Sequence, residues 1–188
     1  MIHVATDRIV LNQRELKSRL AGMPTEQLAS EIARCQKSLY AVLDCRYHYV
    51  RTNIILYDDG CDLGFGKITA KNLRKNLDGC TEAYVFGATL GFGVDRLLKT
   101  AALRSQTDHF ITDALASTAI EALCDLAQAA LPEPTKPRFS AGYGDFDIKN
   151  QRPILNFINA QKELGINLSD SFLMNPTKSV TAIMGIKK

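Results

Sequence analysis

The sequence predicts an α+β fold in which helices flank a twisted, largely antiparallel sheet. Two observations predict it. Strand-like and helix-like segments follow one another in mixed order, without the strand–helix alternation that builds a parallel sheet. Turn signals at Asp58-Asp59-Gly60 and at Asn175-Pro176-Thr177 join strand-like runs directly, as hairpins do.

The elements follow in order. Asn12 to Leu20 reads as a short helix with Asn12 as its N-cap and Gly22 as its stop. Thr25 to Leu43 reads as a longer helix after Pro24, with Leu28, Ile32, Leu39 and Val42 on its apolar face. Cys45 to Tyr57 is rich in Tyr, Val and Ile and reads as a strand, which turns at Asp58-Asp59-Gly60 into a second strand, Cys61 to Ile68. Lys71 to Leu77 reads as a short helix ending at Gly79. Glu82 to Thr89 is an apolar strand, Gly91 to Ser105 a helix, and Asp108 to Leu131 a long Ala-rich helix. Pro132-Glu-Pro-Thr-Lys-Pro137 interrupts regular structure. Ile154 to Leu164 reads as a last helix stopped by Gly165, and Ser171 to Met174 with Ser179 to Ile186 as a hairpin around Asn175-Pro176-Thr177.

At 188 residues the chain suffices for one well-buried core, so 1–188 is expected to be a single domain, with N-terminal helices (1–43) packing on an α+β core (44–188). The net charge of +3 is small and its cations are dispersed without interleaved aromatics, which argues against nucleic-acid binding. No apolar stretch has the length of a membrane span and no signal-peptide core is present, so no membrane association and a cytoplasmic location are expected. Five isolated cysteines, with no C-x-x-C and no His at ligand spacing, predict reduced, mostly buried thiols and no metal site. Three scattered histidines (His3, His48 and His109) offer no catalytic triad or dyad, so no residue is assigned to bond-making chemistry.

Three segments bear on ligand binding. Gly87-Ala-Thr-Leu-Gly91-Phe-Gly93 joins a strand to a helix, but its spacing departs from Gly-x-Gly-x-x-Gly and no second βαβ unit follows, so it reads as a tight structural turn. On the long helix Asp113, Ser117, Glu121 and Asp125 recur every four residues as one polar stripe. Small flanking residues (Ala114, Ala116, Ala119 and Ala122) would let neighbours cover the helix and leave these acids in a crevice. Last, Arg138-Phe-Ser-Ala141-Gly142-Tyr143 gathers a cation, a residue free to take positive φ and an aromatic face. Such a loop suits a ligand with a carboxylate and a flat ring.

The Arg-x-x-x-Gly-Tyr loop is followed, after a helix, by Leu168-Ser-Asp170-Ser171-Phe172-Leu-Met174-Asn-Pro176-Thr-Lys-Ser179-Val180. Together they resemble the activation domain of cobalamin-dependent methionine synthase, whose second segment runs Leu-Thr-Glu-Ser-Phe-x-Met-x-Pro-x-x-Ser-Val. The match spans residues 138–181, and upstream the likeness is to small stand-alone relatives of that domain. The resemblance implies an activation-domain fold that binds S-adenosylmethionine. It also implies a partner, a cobalamin-dependent methionine synthase or related corrinoid methyltransferase, that carries the cobalamin and is reactivated reductively. By the same resemblance Arg138 would anchor the ligand carboxylate and Ala141, Gly142 and Tyr143 would form the floor. An acidic residue of the preceding helix, Glu121 or alternatively Asp113, would take a polar group. The sequence departs from the family where Asp145 and Asp147 replace a His-containing stretch, and where it reads Thr181 to Lys188 in place of a longer continuation. These departures leave an alternative, a non-catalytic interaction protein of the same fold without the ligand site.

Overall fold

A computed structural model describes residues 1–20 and 28–187. Strand β1 (Ile2–His3) leads to helices α1 (Gln13–Arg19) and α2 (Ala29–Tyr40), then to β2 (Arg46–Asn53). A meander of β3 (Ile55–Tyr57), β4 (Gly60–Asp62) and β5 (Lys67–Thr69) precedes α3 (Lys71–Asn76) and β6 (Glu82–Thr89). Helices α4 (Phe92–Arg104), α5 (Gln106–Ala129), α6 (Gln151–Phe157) and α7 (Ala160–Leu164) follow, then β7 (Asn167–Leu168), β8 (Met174–Asn175) and β9 (Ser179–Gly185).

The main sheet is antiparallel throughout, in the order β1-β2-β6-β9, with β3-β4-β5 as a second sheet and β7-β8 as a third. Strand β6 lies at its centre and is buried from Ala83 to Thr89, which is why its sequence is a continuous apolar run. Its side chains alternate between two cores. Tyr84, Phe86 and Ala88 join Ala182 and Met184 of β9 against α1, α2, α4 and α5. Ala83 and Val85 join Ile183 against α3, α6, α7 and the small sheet. Beyond β9, residues 135–140 run along the sheet edge: Lys136 N–H donates to the Gly185 carbonyl (2.8 Å), and Phe139 and Ile183 exchange backbone bonds (3.0 and 2.9 Å). Pro134 and Pro137, which lack an N–H, hold this segment to an irregular edge.

Most elements stand where the sequence places them. Asn12 caps α1, its side chain accepting from Arg14 and Glu15 N–H (3.0 and 3.2 Å). The signals placed on Gly22, Pro24 and Thr25 lie outside the described residues. Three expectations are corrected. The run Cys45 to Tyr57 is two strands, because after Asn53 the chain leaves β6 and Ile54 N–H donates to Thr81 (2.9 Å). Cys61 to Ile68 likewise divides, at a turn where the Asp62 carboxylate accepts from Gly64 N–H (2.7 Å). Ile154 to Leu164 breaks at Asn159, which takes the left-handed conformation (φ 50°) that asparagine tolerates.

The hairpin expected around Asn175-Pro176-Thr177 is also absent. β8 pairs with β7 and β9 pairs with β6. The Asp95 carboxylate on α4 captures the loop instead, accepting from the Thr177 N–H and hydroxyl (3.0 and 2.8 Å). Leu90 N–H donates to the Lys178 carbonyl (3.0 Å). Long-range anchors thus override a local turn signal.

Candidate functional site

Helix α5 begins under a Ser105 cap, whose hydroxyl accepts from Asp108 N–H (3.0 Å). Its apolar and small residues, among them Ile111, Leu115, Ala116, Ala119 and Leu123, are buried. The polar stripe stays accessible: Asp113, Ser117 and Glu121 are half-buried and Asp125 is exposed.

The edge segment brings Arg138 to this stripe. Strand alternation sends Phe139 to the opposite side, where its ring stacks near Phe146 (centroids 6.3 Å apart). The Arg138 side chain, only 20% exposed, reaches Glu121 (3.1 Å) and Asp125 (2.9 Å) through one terminal nitrogen. Its other terminal nitrogen donates to the Gln128 amide oxygen (2.9 Å). Gln128 fastens the segment a second time, its amide N–H donating to the Thr135 hydroxyl and the Lys136 carbonyl (2.8 and 3.1 Å). Burial works against the charge of Arg138, but neighbouring Cys124, Asp125 and Glu121 offset it and hold its pKa above the ordinary value.

The loop after Arg138 folds on itself. Gly142 (φ 96°) donates its N–H to the Phe146 carbonyl (2.7 Å), and Phe146 N–H donates back to Tyr143 (3.0 Å). Positive φ at Gly142 suits glycine. Asp145 leaves the loop to cap α3, accepting from the Lys71 and Asn72 N–H groups (2.7 and 3.1 Å). Asp147 similarly accepts from Lys149 N–H (2.8 Å). Both acids thus serve hydrogen bonds that shape the backbone. Tyr143 remains 69% exposed on the rim.

A cleft of about 900 Å³ opens where the edge segment leaves β9. Glu121, Asp125 and Arg138 form its charged end; Ala141, Tyr143 and Phe172 are among its remaining walls. Of the residues singled out by sequence, Arg138, Glu121, Ala141 and Tyr143 line this one cleft, and Gly142 shapes the loop between two of them. Asp113 is not in the lining; Lys178 engages it (2.7 Å) together with Ser117 (2.9 Å). Asp125 is visible in the sequence as part of the stripe but not as part of the site, and Gln128 and Gln151 are not visible there, because an isolated glutamine on a helix carries no signal of what it faces.

The glycine-rich turn is filled by protein. A Cβ at Gly87 would lie 2.8 Å from Ile158 Cδ1, one at Gly91 2.8 Å from Asp44 Cβ, and one at Gly93 3.1 Å from Val42 Cβ. Gly91 N–H donates to the Thr89 hydroxyl (3.1 Å). These glycines permit close packing of strand, helix and neighbouring chain. The five thiols are all buried. Among the described residues no three His, Cys, Asp or Glu side chains gather as a metal set, and no helix is long and apolar enough to cross a membrane.

These features define a mixed helix and antiparallel-sheet fold that carries a bipolar cleft at the open edge of its main sheet. Solved structures share the fold, among them the MetH reactivation domain bound to AdoHcy. The superposition has a TM-score of 0.73 over 98% of this chain and 77% of that chain, at 15% sequence identity. No family model and no curated protein matches the sequence.

Proposed function

We propose that the cleft binds S-adenosylmethionine or its demethylated form, and that the chain serves as an activation-domain-like module for a cobalamin-dependent methionine synthase or related corrinoid methyltransferase. The observation that carries the reading is the convergence of Arg138, Glu121 and the Ala141–Tyr143 loop on one cleft. Its size falls within the range of small-molecule sites, about 300–1,000 Å³. The AdoHcy carried by the MetH reactivation domain adds support from the shared fold.

The residues fit such a ligand. Arg138 uses its two terminal nitrogens toward protein groups and has five N–H donors in all, so donor capacity remains for a ligand carboxylate. Glu121 and Asp125 together suit an ammonium or sulfonium, and Tyr143 offers a face for a flat ring. Cobalamin, bound by the partner, would supply the cobalt that accepts the methyl group. This chain would hold and orient the donor at an open cleft mouth.

Calorimetric titration with S-adenosylmethionine tests the reading. Saturable binding weakened at least about tenfold by Arg138→Ala is expected. A second reading, an interaction protein of this fold without the ligand, is favoured by one observation: Glu121, Asp125 and Gln128 already neutralise Arg138 and engage both of its terminal nitrogens within the chain. Absence of binding up to millimolar ligand would overturn the first reading in favour of the second.

A further inference from the structure

Gln151 opens α6 at the far side of the cleft from the charged stripe, and it is 4% exposed. Buried amides are ordinarily matched at both ends, with oxygen accepting and nitrogen donating. Only one end is well matched here. The Thr181 hydroxyl donates to the Gln151 carbonyl oxygen (2.8 Å). Thr181 is itself fixed in β9, and its backbone carbonyl accepts from the Ser140 hydroxyl (2.6 Å). The Gln151 amide nitrogen meets the Met174 sulfur (3.1 Å). A thioether is a weak acceptor and accounts for at most one of the two N–H groups. The result is a buried donor pair whose orientation is set from behind by Thr181, at a cleft wall. The lining of the same cleft includes Phe172, Ile148 and Tyr143, side chains suited to a flat apolar face.

We propose that Gln151 is a specificity-determining residue, which donates a hydrogen bond to a ring nitrogen of a bound heteroaromatic base. This inference rests on the preceding reading of the cleft as an S-adenosylmethionine-type site and assigns the base to the α6 end. Because the carbonyl of Gln151 is held by Thr181, the side chain presents donors toward the cleft. It would therefore favour a base with an unprotonated ring nitrogen over a carbocycle of the same shape. Phe172, at positive φ (61°) and with the Arg152 guanidinium 5.8 Å from its ring centroid, contributes an aromatic wall to the same cleft.

The test uses the full chain and calorimetry with S-adenosylhomocysteine, alongside analogues in which one adenine ring nitrogen at a time is replaced by carbon. Gln151→Met, similar in length and without donors, is expected to bind the parent ligand about tenfold more weakly. One analogue should lose about tenfold against the unmodified protein and nothing further against Gln151→Met. Gln151→Glu, which still accepts from Thr181 but presents no donor when ionised, should reproduce the loss. Circular dichroism and melting of both variants establish that they are folded, and Gln151→Glu stands in should Gln151→Met fail to fold. Unchanged affinity in a folded variant, with Arg138→Ala still defective, would overturn the role of Gln151 while leaving the cleft assignment standing. No saturable binding by the unmodified protein would overturn both.

Discussion

Replacing Arg138 by methionine keeps the aliphatic stem and removes the guanidinium, so it isolates what the cation contributes to the ligand-free fold. The Gln128 contact joins two part-buried groups and contributes about 1 kcal/mol. The Glu121 partner is 38% exposed, so that pair is partly screened and adds roughly 0.5–1 kcal/mol. The Asp125 side chain is 73% exposed and adds close to nothing. Packing of the stem survives in methionine. The expected loss is therefore roughly 1.5–2 kcal/mol. In urea, with a slope of about 2 kcal/mol/M, the midpoint should fall by slightly under about 1 M with the slope unchanged. Ligand linkage adds a second readout: saturating S-adenosylhomocysteine should stabilise the unmodified protein and stabilise Arg138→Met distinctly less. An unchanged urea midpoint would refute the reasoning, for it would mean that the backbone bonds to β9 alone hold the edge segment.

Other parts of the molecule make separate predictions. Gly93→Ala should lower the melting temperature sharply or prevent folding, since its methyl would press on Val42; an unchanged melting temperature would refute the packing role assigned to this glycine. All five thiols should resist a thiol reagent at neutral pH and react once urea unfolds the chain. Burial raises Tyr84 from its ordinary 10.0 to about 12, with Glu133 adding to the effect, and raises Cys61 from 9.0 to about 11. The folded state thus retains protons that the unfolded chain releases, so urea midpoints should decline as pH rises above 9 toward 12. Tyr84→Phe should flatten the upper part of that decline and leave the lower part.

What the sequence discloses depends on how local the deciding interaction is. β6 is legible because a strand buried on both faces must be apolar at nearly every position. Asn12 is legible because a cap acts two and three residues away. The Arg138 loop and the stripe on α5 are legible as separate patterns; their meeting depends on the edge pairing with β9. The false hairpin at Asn175–Thr177 shows the converse. Its turn residues are real, but Asp95, more than eighty residues earlier in the chain, decides where they go. Gln151 is invisible in the same way, since its meaning comes from Thr181 and Met174.

The cleft exists because the sheet edge is imperfect. Prolines at 132, 134 and 137 keep the edge segment from completing a regular ladder, so it leaves β9 after Phe139. The space it vacates lies between α5, which carries acids, and α6, which carries Gln151. On the α5 side one guanidinium faces two carboxylates, an arrangement short of one positive charge. A ligand that brings an ammonium, a sulfonium and a carboxylate carries one net positive charge, so it relieves that imbalance while its carboxylate takes up the remaining donors of Arg138, whereas a simple carboxylate would add to the negative charge. The arrangement that pairs Arg138 without ligand therefore also selects for a ligand bearing net positive charge, and the cost of opening the pairs to admit it is small because Asp125 is already largely in water.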